Sequence, residues 1–140
     1  MAEIRPFTPL RYDLTRIDLA KVVAPPYDVI SPEQRAELAV RDPYNVVKLI
    51  LPDGEGDAKY AHAADLFSAW RQEGILVRDD EPSFYRYDQT FTPPGGGRER
   101  TRTGFLGLVK IVPLDKGIVL PHERTLSGPK EDRFKLFTST

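Results

Sequence analysis

The sequence predicts an α+β fold, a mixed and largely antiparallel sheet with helices packed on it. Three observations support this. Two β-rich stretches flank Pro93-Pro94-Gly95-Gly96-Gly97, which reads as an antiparallel hairpin. Helix-start signals and apolar stripes at helical period mark separate segments before and after that hairpin. Finally, 13 prolines and 10 glycines in 140 residues describe short elements joined by defined turns.

In chain order, residues 4–12 alternate apolar and polar side chains but carry two prolines, so they fit an edge strand or an extended segment. Asp13 or Thr15 starts a short helix through Val23, on the spacing of Leu14, Ile17 and Leu19 to Val22. Pro25-Pro26 hold residues 24–30 extended and stiff. Tyr27 and Asp28, at the end of that segment, either face a ligand or serve the core and local backbone. Ser31-Pro32-Glu33-Gln34 is a capping box with proline at the first helical position, predicting a helix over residues 32–40.

Asp42-Pro43 stops that helix, and Tyr44 to Leu51 reads as a strand ended by Pro52-Asp53-Gly54. Tyr60, Ala63 or Ala64, Phe67 and Trp70 form one stripe of a helix over residues 58–73, with Gly74 as its stop. His62 falls off the stripe and reads as a solvated histidine, since no second ligand sits at metal spacing. Further strands are expected at 75–77, 83–92, 100–112 and 117–120, and a last helix from about residue 129. Asp79-Asp80-Glu81 before Pro82 reads as a solvated turn. The triple glycine lacks the Gly-Lys-Ser/Thr ending of a phosphate loop and leads into a strand, so that signature fails on context. Arg98, Arg100 and Arg102 fit a solvated edge.

Length suits one domain over residues 1–140. Lys plus Arg number 20 against 21 Asp plus Glu, a balance that gives no support to non-specific nucleic-acid binding. No cysteine is present, which removes disulfides, thiolate metal sites and a thiol nucleophile. The first residues are broken by charge and proline and do not form a secretory apolar region. No apolar run approaches the ~20 residues that span a bilayer. A cytoplasmic protein without membrane partners is the expectation.

The stretch Gly117 to Phe137 concentrates the candidate chemistry. An apolar run, Ile118-Val119-Leu120, is followed by His122, Glu123, Arg124 and Thr125, and then by Ser127-Gly128-Pro129 at a helix start. A helix start has unpaired N–H groups and partial positive charge, suited to a phosphate or carboxylate. Lys130, Arg124 and Arg133 add full charges. Alternatively the elbow only exposes its charges to water. Phe134, Leu136 and Phe137 make an apolar face that needs cover, from a second copy or from chain beyond Thr140.

Several of these segments together carry a resemblance. Ile4-Arg5-Pro6-Phe7, Pro25-Pro26-Tyr27-Asp28-Val29-Ile30, the segment around Asn45, Leu120-Pro121-His122-Glu123-Arg124-Thr125 and Gly128-Pro129-Lys130-Glu131-Asp132-Arg133 look like the N-terminal part of the DUF1015 family. Members of that family normally continue into an Asp-Gly-His-His-Arg motif, which this sequence lacks. That motif is similar to one in the archaeal free-serine kinase and to the phosphate box of ParB partition proteins. The resemblance therefore implies a relative of the ParB/sulfiredoxin-like nucleotide-handling fold, the chain being the front of an incomplete domain.

What the resemblance implies for function is a nucleotide-dependent kinase of a small molecule, such as the amino acid serine, in the full-length parent, with this portion inactive alone. A nucleoside di- or triphosphate with magnesium would be the cofactor, and no metal site of the protein's own is expected. Arg124, Thr125, Lys130 and Arg133 would contact phosphate. Glu123 or Asp28 would act as base, His122 as proton relay, and Tyr27 would touch the substrate. The alternative is a non-catalytic regulatory module that binds an anion or a partner protein.

Overall fold

The structure is a computed structural model and describes residues 1–120 and 127–140, the side chains of 127–129 excepted. Its class is α+β, with the strands distributed over three two-stranded ladders. β1 (Ile4–Arg5) pairs with β6 (Leu108–Val109), β2 (Leu10–Tyr12) with β3 (Leu76–Arg78), and β4 (Tyr85–Phe91) with β5 (Arg100–Leu106). The chain divides into two compact units, Met1–Pro9 with Arg78–Glu123 and Leu10–Val77 with Arg124–Thr140.

The first unit is built on the β4–β5 hairpin. Its antiparallel register sets Tyr85 opposite Leu106 and Phe91 opposite Arg100. Gly95, Gly96 and Gly97 take φ of 91°, 88° and 117° in the connection, a region closed to most side chains, which is why the expected glycine-rich turn forms here. β1 pairs antiparallel with β6, and Phe7 exchanges two backbone hydrogen bonds with Ser83 while its ring meets the edge of Tyr85. No described residue of this unit is buried, and all seven of β5 are exposed.

The expected strand at 117–120 does not form. Leu114–Lys116 make a single 3-10 turn, Gly117 ends it in the left-handed region at φ 60°, and Ile118 and Leu120 are exposed. An apolar run becomes a buried strand only where a neighbour offers ladder partners, and the turn ahead of it satisfies the backbone locally instead.

The second unit carries the core. Helix α2 (Pro32–Arg41) starts as the sequence predicts, with Ser31 Oγ accepting the Gln34 N–H at 3.2 Å and Gln34 Oε1 accepting the Ser31 N–H at 3.0 Å. Helix α4 (Ala58–Gln72) buries Tyr60, Ala63 and Trp70 along its stripe. It closes at Gly74, at φ 70°, with Gly74 N–H donating to Arg71 O and Ile75 N–H to Trp70 O. Trp70 lies against Tyr12 and meets the Tyr44 ring edge-on at 5.7 Å between centroids. Val22, Leu38, Val47 and Ile75 are buried as well.

Two further expectations fail here for a shared reason, local side-chain to backbone bonds. Tyr44 to Leu51 is no strand but a turn leading into α3 (Val47–Ile50). Asn45, 0% exposed, donates from Nδ2 to the carbonyls of Lys21 and Val23 and accepts the Val47 N–H on Oδ1, so it fixes a helical start inside a β-branched run. Residues 13–23 hold only the four-residue α1 (Leu19–Val22), because Asp13 Oδ1 accepts from both the backbone and the hydroxyl of Thr15 and closes a separate turn. Pro26 is extended as expected, but Tyr27–Val29 then coil into one 3-10 turn.

The last helix, α5 (Ser127–Ser139), begins two residues before Pro129. It packs on α4, where Leu136 joins Tyr60 and Ala63 in one buried cluster and Lys135 pairs with Asp57 at 2.9 Å. Its apolar face is thus partly covered within the chain. Phe134 and Phe137 remain 68% and 73% exposed.

Candidate functional site

Within the second unit, the start of α2, the end of α3, the first turn of α4 and the first half of α5 surround a pocket of about 300 Å³. Ile30, Pro32, Leu51 and Pro52 give it apolar walls. Arg35, Lys59, Asp132 and Arg133 give it charge. That volume is at the lower edge of the ~300–1,000 Å³ typical of small-molecule sites.

Asp132 is the hub of the charged wall. Its Oδ1 accepts from Lys59 Nζ at 2.7 Å and from the Tyr60 hydroxyl at 2.8 Å. Its Oδ2 accepts from Nε and Nη2 of the adjacent Arg133. Burial alone would raise the Asp132 pKa, but the bonds from Lys59, Arg133 and Tyr60 outweigh it and hold the carboxyl well below the usual range. In turn the bond to Asp132 raises Lys59 and Tyr60, so both keep their protons.

Arg133 also donates from Nη1 to the Ile50 carbonyl at 2.7 Å, and its guanidinium carbon stands 4.2 Å from the centroid of the Tyr27 ring. With its side chain only 16% exposed, it ties α5 to the end of α3 and to the Tyr27 turn. Arg35 donates from Nε to the Leu51 carbonyl at 3.0 Å and pairs through Nη1 with Asp53 at 2.7 Å. Its Nη2 is buried without a hydrogen-bond partner. A buried guanidinium nitrogen left so is costly.

Three cations, Arg35, Lys59 and Arg133, and one carboxylate, Asp132, line the pocket, while Asp53 pairs with Arg35 and Glu33 accepts from the lining Ser31 hydroxyl. The α2 terminus adds little, because Pro32 has no N–H, Gln34 N–H goes to Ser31 and the Ser31 N–H goes to Gln34. The donors at this pocket therefore come from side chains.

Of the residues singled out from sequence, Tyr27 and Arg133 are brought together. Asp28 and Lys130 are exposed, and neither lines the pocket. His122, Glu123, Arg124 and Thr125 lie outside the described residues. His62 is exposed on α4, as expected, with Nδ1 3.4 Å from the Asp53 carbonyl. Among the described residues no group of three acidic or histidine side chains could hold a metal ion. No helix among them is long and apolar enough to cross a membrane.

Sequence reasoning missed Arg35, Lys59 and Asp132. Asp132 carried a signal, since it stands in the Gly128 to Arg133 segment, beside a residue already chosen. Arg35 and Lys59 carried none, because a lone cation on a helix usually faces water.

The model of a family described as a protein of unknown function (DUF1015) matches residues 4–140. No curated protein and no solved structure matches the chain.

Proposed function

The chain belongs to the DUF1015 family, and from that premise we propose that its second unit binds a small anion, a phosphate or a carboxylate, in the pocket between α2 and α5. The observation that carries this reading is the pocket's charged lining, three cations, Arg35, Lys59 and Arg133, with one carboxylate, Asp132. A planar guanidinium fits an oxyanion better than any neutral group. Titration calorimetry with inorganic phosphate and with acetate tests it. Saturable binding to the natural chain and at least tenfold weaker binding to Arg35→Gln is the expected result. Equal affinities would remove Arg35 from the site and the reading with it.

A second reading is favoured by one observation. Tyr27 and Arg133 come from two separate segments that carry the family resemblance, and they stack on each other. That apposition supports a nucleotide-dependent kinase of a small molecule in the parent protein, with Glu123 or Asp28 as base, His122 as relay and the cations here holding phosphate oxygens beside bound magnesium. Glu123→Gln then abolishes transfer from a nucleoside triphosphate in the full-length parent while its unfolding midpoint stays unchanged. Turnover at the natural rate in that variant would take Glu123 out of the mechanism.

A further inference from the structure

We infer that the ligand of this pocket is an anion whose body is apolar, an alkyl phosphate or a short-chain carboxylate, rather than a polyol phosphate or an amino acid. The inference rests on the anion-binding reading above and concerns what is attached to the anion.

The wall is rich in donors and poor in free acceptors. A carboxylate has about four acceptor positions, and Asp132 fills four, with Lys59, Tyr60 and two nitrogens of Arg133. The Ser31 hydroxyl donates to Glu33 Oε2 at 2.8 Å and accepts the Gln34 N–H. The Leu51 carbonyl takes Arg35 Nε. A ligand ammonium or hydroxyl entering this pocket finds its side-chain acceptors engaged and loses water without replacement. What the pocket offers instead is apolar surface, from Ile30, Pro32, Leu51 and Pro52. Pro32 and Pro52 have no free rotors to order, so a hydrocarbon body meets a wall that is already set.

The cations Arg35 and Lys59 on the wall suit the oxygens of a single anionic head.

Calorimetry on the whole chain with inorganic phosphate, propyl phosphate and glycerol 3-phosphate separates the possibilities. Propyl phosphate is expected to bind about tenfold more tightly than inorganic phosphate, from partial burial of three carbons, and about tenfold more tightly than glycerol 3-phosphate. Ile30→Ala narrows the ratio of propyl to glycerol ester, whereas Arg35→Gln weakens all three anions together. Binding of inorganic phosphate with equal affinity for the two esters overturns this inference and leaves the anion site standing. An unchanged ratio in Ile30→Ala overturns it too. No binding of any of the three removes the site itself.

Discussion

The guanidinium of Arg133 rests on the face of Tyr27, 4.2 Å from the ring centroid, while its nitrogens reach Asp132 and the Ile50 carbonyl. One side chain thus joins the Tyr27 turn to two helices. A flat, weakly hydrated cation can stack and donate in its plane at once, which an ammonium cannot. A double-mutant cycle of Arg133→Lys and Tyr27→Leu in urea unfolding should give a coupling of about 1 kcal/mol. A coupling of zero would mean the stack stabilises nothing.

Removing the charge of the hub should be felt in both α4 and α5. Asp132→Asn leaves Lys59 and Arg133 without their carboxylate and weakens the Tyr60 bond. Loss of about 2 kcal/mol of unfolding free energy is expected, the scale of a hydrogen bond to a charged group. A variant as stable as the natural chain would show that the cations find other partners.

Acid should destabilise the protein partly through the same residue. The folded pKa of Asp132 lies below its ordinary value of 3.8, so on acidification the unfolded chain takes up the proton first. Its contribution is complete above about pH 5 and is lost as the pH falls toward the folded value. Asp13 and Glu33 are shifted the same way, by bonds from Thr15 and Ser31, and leave a residual slope. Unfolding midpoints between pH 7 and 3 should therefore fall less steeply in Asp132→Asn than in the natural chain. Parallel curves would contradict the assignment.

Asn45 should be among the most sensitive positions of the core. Asn45→Ala frees the part-buried carbonyls of Lys21 and Val23 and the buried N–H of Val47. A loss of about 3 kcal/mol is expected, with the far-ultraviolet helical signal reduced on account of α3. A loss under about 1 kcal/mol would mean that water replaces the amide.

These positions also explain how far the sequence could be read. Helices α2 and α4 and the β4–β5 hairpin were legible because their signals are local: the Ser31 to Gln34 box, the stripe from Tyr60 to Trp70, and the glycines after Pro94. Tyr44 to Leu51 was misread because its β-branched composition argues for a strand while a single amide, Asn45, reaches back to Lys21 and Val23. Propensity is a weak prior against such a tie. The same holds for the site. Arg133 and Tyr27 could be chosen from the family's segments, but their meeting could not. Arg35 and Lys59 became candidates only once folding put them around one pocket.

The hairpin connection has a practical use. Gly95, Gly96 and Gly97 have open space where a side chain would stand, and β4 and β5 are exposed nearly throughout, whereas every residue lining the pocket between α2 and α5 belongs to the other unit. A foreign peptide spliced between Gly95 and Gly96 meets no steric obstacle at its point of entry. That makes the tip a handle for an affinity tag or a fluorophore, through which ligand titrations can be followed at a distance from the chemistry in sequence.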